Sequence, residues 1–113
     1  MQLTFLHGYP DYIGKRFAWA GYGNGPASYV NTGTVITSGD PLTLPRFDNY
    51  IDTVESDAIS VSGNYYYVAI PSIANSRATW KLLYYSVGTT TQVSNGVNLS
   101  AEQFLISGLG GVY

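Results

Sequence analysis

Few side chains in this sequence are of types that do chemistry, and their spacing decides how far each can be taken. The single histidine, His7, stands where a short alternating run meets Gly8. A Ser-His-Asp triad needs its members to meet only in space, so His7 qualifies as a base by type alone. The chain has no Cys to act as nucleophile, and no Gly-x-Ser-x-Gly turn to present a strained serine. His7 therefore reads as a hydrogen-bonded histidine at a strand edge, and the chain as non-enzymatic. Asp48, Asp52, Glu55 and Asp57 form the densest acidic group. Hard cations such as calcium take several oxygen ligands of this kind, but the spacing is not that of an EF-hand loop. On a strand, Asp48 and Asp52 share one face while Glu55 and Asp57 share the other, so the four read as a solvated face. Paired carboxylates also serve glycosidases, although any chain with seven acidic residues offers such pairs. Gly21-Tyr22-Gly23-Asn24-Gly25 alternates glycines without the following Lys or helix of a phosphate cradle. Asn98-Leu99-Ser100 fits a glycosylation acceptor by pattern only. No cofactor and no metal site are expected.

Aromatic side chains are the richer signal. The chain has eleven Tyr, four Phe and two Trp among 113 residues. Tyr9, Tyr12, Phe17, Trp19, Tyr22 and Tyr29 gather in or beside the glycine-rich segment 8–31. Three readings fit them: anchors for a protein partner, where Tyr and Trp are common hot spots; a sugar-stacking platform; or a cover for the open end of a β-sandwich.

Composition narrows the classes of partner. Only 11% of residues are charged, so Ser, Thr, Asn, Gly and Tyr must form most of the surface. Such a surface is weakly guarded against association, which points to partners that cover it in the working state. Secreted binding modules share this bias. Lys15, Arg16, Arg46, Arg77 and Lys81 are scattered, with no basic stripe to follow a nucleic-acid backbone. No apolar run nears the roughly 20 residues that span a bilayer, and Met1 to Leu6 lacks the form of a signal peptide, so the expected site of synthesis is intracellular.

The elements that position these residues read as strands in one domain over 1–113. Met1 to His7 alternates Leu3 and Phe5 against Gln2 and Thr4. Lys15 to Ala20 follows as a strand, then Gly21 to Ala27 as a long loop that could form an extended arm. Tyr29 to Val30 and Thr34 to Thr37 suit two short strands. Pro41 and Pro45 confine the Leu42, Leu44 and Phe47 segment to an edge strand or a surface crossing. Asp48 to Glu55 favours strand over a single helical turn. Ala58 to Ser62 alternates Ile59 and Val61 with Ser, and Gly63-Asn64 turns it tightly into Tyr65 to Ile70. A loop over Pro71 to Ala78 leads to Thr79 to Val87, and Thr89 to Ser94 adds another strand. Ser100 to Gln103 could cap a short helix, and a terminal strand fits equally. About eight short strands without βαβ alternation give an all-β, antiparallel β-sandwich, jelly-roll-like.

Size near 110 residues, absence of Cys, few charges, the opening Leu6-His7-Gly8-Tyr9-Pro10-Asp11-Tyr12-Ile13-Gly14 and the Tyr-rich strands from Asn64 to Val87 together resemble small virion proteins of tailed bacteriophages. The likeness is to capsid decoration, or cement, proteins of the β-sandwich and jelly-roll kind. It implies a non-enzymatic structural protein on the capsid surface, made in the host cytoplasm. The partners it implies are the major capsid protein and further copies of the chain on the particle, with neither nucleic acid nor membrane. It carries no site residues. A carbohydrate-binding module using Trp19 or Trp80 is the alternative, and a tail or head-completion subunit a third.

Overall fold

The run Phe104-Leu105-Ile106-Ser107 lies in a strand inside the larger of two sheets, with neighbours on both sides. The computed structural model describes residues 1–45, 51–55, 58–74 and 77–111. Within them lie eight strands: β1 (Thr4–Phe5), β2 (Asp11–Ile13), β3 (Arg16–Asn24), β4 (Asp40–Pro41), β5 (Ile51–Val54), β6 (Tyr65–Ala74), β7 (Arg77–Ser86) and β8 (Gln103–Gly111). One sheet runs β1-β3-β8-β5, with β2 also paired to β3, and the other runs β4-β7-β6. All strand pairings are antiparallel. The fold is all-β and sandwich-like, as expected. The finer strand exchange of a jelly roll is not among the described pairings.

Alternation sorts each strand into a core face and an outer face. Phe17, Trp19, Phe104, Ile106, Ile51 and Val54 from the larger sheet meet Tyr67, Ala69, Leu82 and Tyr84 from the smaller. Phe104 is the centre of this contact, with the rings of Tyr67 and Tyr84 at 6.0 and 5.1 Å. Leu83, on the opposite face of β7 from Leu82, is also buried, beneath the loop ending at Gly39. At Leu82 and Leu83 both faces of the strand are therefore covered by the chain itself.

Several expected boundaries shift, each for a physical reason. The expected glycine loop or arm at 21–27 is strand up to Asn24, because Gly21 and Gly23 let the N-terminal segment lie against β3. A Cβ on Gly21 would fall 2.5 Å from the Thr4 carbonyl oxygen and 2.6 Å from Leu3 Cδ2. The expected loop 71–78 is mostly strand: β6 and β7 form one long hairpin in which Pro71 pairs with Trp80. Pro71 is tolerated because β6 is an edge strand. The terminal segment resolves as β8, without a helix.

The expected strands at 29–30 and 34–37 are loops, and 89–94 contributes a single bridge, Gln92 to Tyr85, with Val93 N–H donating to the Tyr84 carbonyl. Loop backbone in and beside them bonds to side chains and to other loops: Asn31 N–H donates to Asn95 Oδ1, Thr32 N–H to Ser38 Oγ, Gly96 N–H to the Tyr29 carbonyl and Tyr29 N–H to the Val97 carbonyl. Asn, Ser and Thr compete with ladder bonds in this way. The 58–62 segment contributes a single bridge, Ile59 to Tyr66, and its alternation is inverted. Ser60 is buried and bonded to Tyr65, while Ile59 and Val61 face water. Pro41 does sit on an edge strand, and Ile51–Val54 is a strand; Arg46, Phe47 and 48–50 lie outside the described residues.

The two sheets are joined at the N-terminus. Leu3 N–H donates to the Thr43 carbonyl and Thr43 N–H to the Met1 carbonyl. The Met1 α-ammonium, fully enclosed, donates to Asp40 Oδ1 at 2.7 Å and to the Pro41 carbonyl. The Tyr84 hydroxyl donates to Asp40 Oδ2 at 2.6 Å. Asp40 thus clamps the first residue to the smaller sheet.

Candidate binding surface

The structure divides the six aromatic candidates. Phe17, Trp19 and Tyr29 are buried in the core, Tyr22 is half-buried, and Tyr9 and Tyr12 are exposed. Burial follows from strand parity, since Phe17 and Trp19 occupy the inward positions of β3. Trp19 is 1% exposed and offers no ring face to a sugar. Its Nε1–H has no hydrogen-bond partner among the described residues, a cost of about 1–3 kcal/mol that burial of the large ring offsets. Tyr29 packs edge-on against Tyr84 with ring centroids 5.5 Å apart and donates its hydroxyl to Gln92 Oε1. Loss of solvent pushes its phenol up to about 12, and burial followed by the Asp40 charge raises Tyr84 as well. Tyr12 rests its exposed ring against Phe17 at 5.8 Å.

His7 lies in an exposed turn after β1. Of the four acidic residues, Asp48 and Asp57 lie outside the described residues. Asp52 pairs with Arg16, which reaches it across Gly111, and Glu55 accepts from Ser107 Oγ at 3.2 Å. Among the described residues no three His, Asp or Glu side chains converge on a point that could hold a metal.

Among the described residues a concavity lies on the outer face of the larger sheet. Two adjoining hollows, of 410 and 340 Å³, share Ala20, Glu55 and Ser107. Small side chains make the floor: Ala18 pairs in register with Leu109, and Ala20 with Ser107. Leu6 and Leu105 wall one hollow, Tyr9 and Leu109 the other. Leu105 and Leu109 are each about half exposed, unusual for leucines in mid-strand. Glu55 is held at the join, its carbonyl accepting from the Tyr67 hydroxyl at 2.7 Å. Chemically the face is an apolar trough with one exposed carboxylate. The sequence carried a signal for it, because Leu105 and Leu109 fall on the parity opposite to Phe104 and Ile106; the signal is readable only once the segment is known to be a strand.

A second cleft, of 330 Å³, lies at the β4 edge of the smaller sheet, lined by Trp80, Thr79, Lys81, Ser72, Ile70 and Leu42 among others. Trp80 is half-buried there, its Nε1–H donating to the Ile51 carbonyl at 3.1 Å.

Fold and surface together define an all-β, sandwich-like protein with exposed apolar and aromatic side chains. Comparison with protein-family models, with curated proteins and with solved structures finds no match.

Proposed function

We propose that this chain is a non-enzymatic structural protein that binds the outer surface of a bacteriophage capsid and stabilises contacts between capsid subunits. One observation carries the reading. Ile13, Ile36, Val61 and Ile73 are 82%, 87%, 72% and 77% exposed, and each lies in or near a chain reversal. Reversals ordinarily carry Gly, Asn, Asp, Ser and Pro, which favour turn geometry and water. Four β-branched apolar tips on a chain with few charges suit a protein held at several points by neighbouring surfaces. Contacts made at several points on one lattice raise the effective concentration for each other, so modest individual contacts add to firm attachment. Low charge fits the same role, since interface cores are depleted in Lys, Glu and Asp.

The major capsid protein is the partner in this reading, and the virion surface its location. Purified protein mixed with undecorated, expanded heads should co-sediment in near-stoichiometric amount. Protein left wholly in the supernatant with expanded and unexpanded heads alike overturns the proposal.

A carbohydrate-binding reading is favoured by the Trp80 cleft, where a half-buried indole stands among Thr79, Ser72 and Lys81. A glycan array with a clear preference that Trp80→Ala abolishes would support it.

A further inference from the structure

We infer that the outer face of the larger sheet is a self-docking surface, on which a second copy of this chain packs face to face about a two-fold axis. The centre of the face is apolar, and its rim carries Asp11, the register partner of Ala18, and the Arg16–Asp52 pair. Leu105, Leu109, Ala18 and Ala20 project outward, and Leu6 and Tyr9 overhang them. At one end stands the β2–β3 hairpin, whose tip carries the exposed Ile13 and Lys15. Further along stands Glu55, whose carboxylate meets only Ser107 among the described residues. Lys15 has no ionic partner among the described residues, whereas Arg16 is paired with Asp52 and Lys81 donates to the Val35 and Ile36 carbonyls.

Lys15 and Glu55 are complementary but too far apart to meet within one chain. Glu55 N–H bonds the Ser107 carbonyl, and Ser107 is the register partner of Ala20. Five residues separate Lys15 from Ala20, roughly 16 Å along an extended strand. This exceeds the span of a lysine side chain. A two-fold axis lying in the interface, perpendicular to the line that joins them and midway along it, passes close to Ala18 and Leu109. Rotation about it lays Lys15 of each copy beside Glu55 of the other, so the same ion pair forms twice. The same rotation places Ile13 of one copy over the hollow floored by Ala20 and Ser107 of the other, between Leu6 and Leu105. The two Leu109 side chains meet at the axis. An isologous contact of this kind closes on itself, as two-fold dimers do. Facing sheets packed about 10 Å apart would interdigitate these side chains as the two sheets of a sandwich do.

The occupant is another copy because the face supplies both halves of the complementarity: apolar tip to small-residue hollow, cation to carboxylate. The inference is independent of the capsid reading, being a property of isolated protein in solution.

Sedimentation equilibrium on the purified chain tests it. The expected result is a monomer–dimer equilibrium, with Lys15→Glu and Glu55→Lys each weakening association about tenfold or more, since each reversal places like charges together twice. The double variant, Lys15→Glu with Glu55→Lys, should restore affinity to within a few-fold of the parent. Lys15→Gln and Glu55→Gln serve as milder variants if either reversal disturbs folding, read by far-ultraviolet circular dichroism. A chain that stays monomeric up to about 1 mM overturns the inference. So does a dimer indifferent to all four single changes, or a double reversal no tighter than the singles. Failure here leaves co-sedimentation with capsids unchanged as a separate result.

Discussion

Asp40 is the residue on which the two sheets depend most directly. Its carboxylate is nearly buried and accepts from the Met1 ammonium and the Tyr84 hydroxyl on opposite oxygens. Removing one partner of a buried pair leaves an uncompensated charge, which costs more than the pair itself contributes. Asp40→Asn in this 113-residue chain should lower stability by about 3–5 kcal/mol, read from urea unfolding, whereas Tyr84→Phe should cost about 1–2 kcal/mol. Equal small losses would show the clamp to be incidental. The buried phenols make a second prediction, about pH. In the folded chain Tyr29 ionises only near 12, and Tyr84 is shifted the same way, against about 10 for an unfolded tyrosine. Below pH 10 both states hold the proton and the stabilising difference is fully present. As pH rises from 10 to 12, the unfolded chain loses these protons first and stability falls. The urea midpoint should therefore decline over that range, with tyrosinate absorbance from the buried rings appearing only as the chain unfolds. Tyr29→Phe should flatten the decline.

At the scale of elements, strand contacts are limited by glycines rather than by large side chains. Gly108 of β8 faces Trp19, and a Cβ there would lie 2.0 Å from the Thr53 carbonyl oxygen and 2.7 Å from the Trp19 ring. The first clash is with backbone, so β5 would have to move off β8. Gly108→Ala should destabilise by about 3 kcal/mol and speed hydrogen exchange in β5, whose described pairing with β8 runs along Ile51–Val54. An unchanged exchange rate in β5 would show that the sheet absorbs the methyl elsewhere. The β6–β7 hairpin is the opposite case, with ten consecutive register pairs and Pro71 on its outer strand. Proline at an edge removes a donor that another chain could pair with, so this edge is protected against strand addition.

For the whole molecule, the distribution of apolar surface matters more than its amount. Ile36 sits in the turn at 33–37 and Ile73 near the end of β6, both away from the core. Ile36→Ser and Ile73→Ser should each leave the thermal midpoint nearly unchanged, since surface changes stay within about 0.5 kcal/mol. On the capsid reading both should reduce co-sedimentation with expanded heads, the pair more than either alone. Full binding by the double variant would remove these tips from the contact. The turn at 33–37 is well suited to present Ile36, being held by Lys81 beneath it and by Thr34–Thr37 hydroxyl contact at 2.9 Å.

The sequence by itself determined the all-β class, the antiparallel pairing and the strands over Tyr65–Ile70 and Thr79–Val87, because β-branched and aromatic alternation bounded by turn residues is a local signal. It also limited the Pro41 segment to an edge strand or a surface crossing, of which the structure takes the edge. Tertiary structure decided what the glycines meant: Gly21 and Gly23 read locally as loop, yet they serve a strand, since only the neighbour lying against them explains the missing side chains. It decided that Phe17, Trp19 and Tyr29 belong to the core, because which parity of a strand faces inward is set by the opposing sheet. It likewise inverted 58–62, where a buried Ser60 bonded to Tyr65 outweighed the burial of Ile59 and Val61. The outer trough, with Leu105 and Leu109 around Glu55, joins residues some fifty positions apart in the chain. Such a surface exists only after β5 and β8 have paired, and no local pattern specifies that pairing.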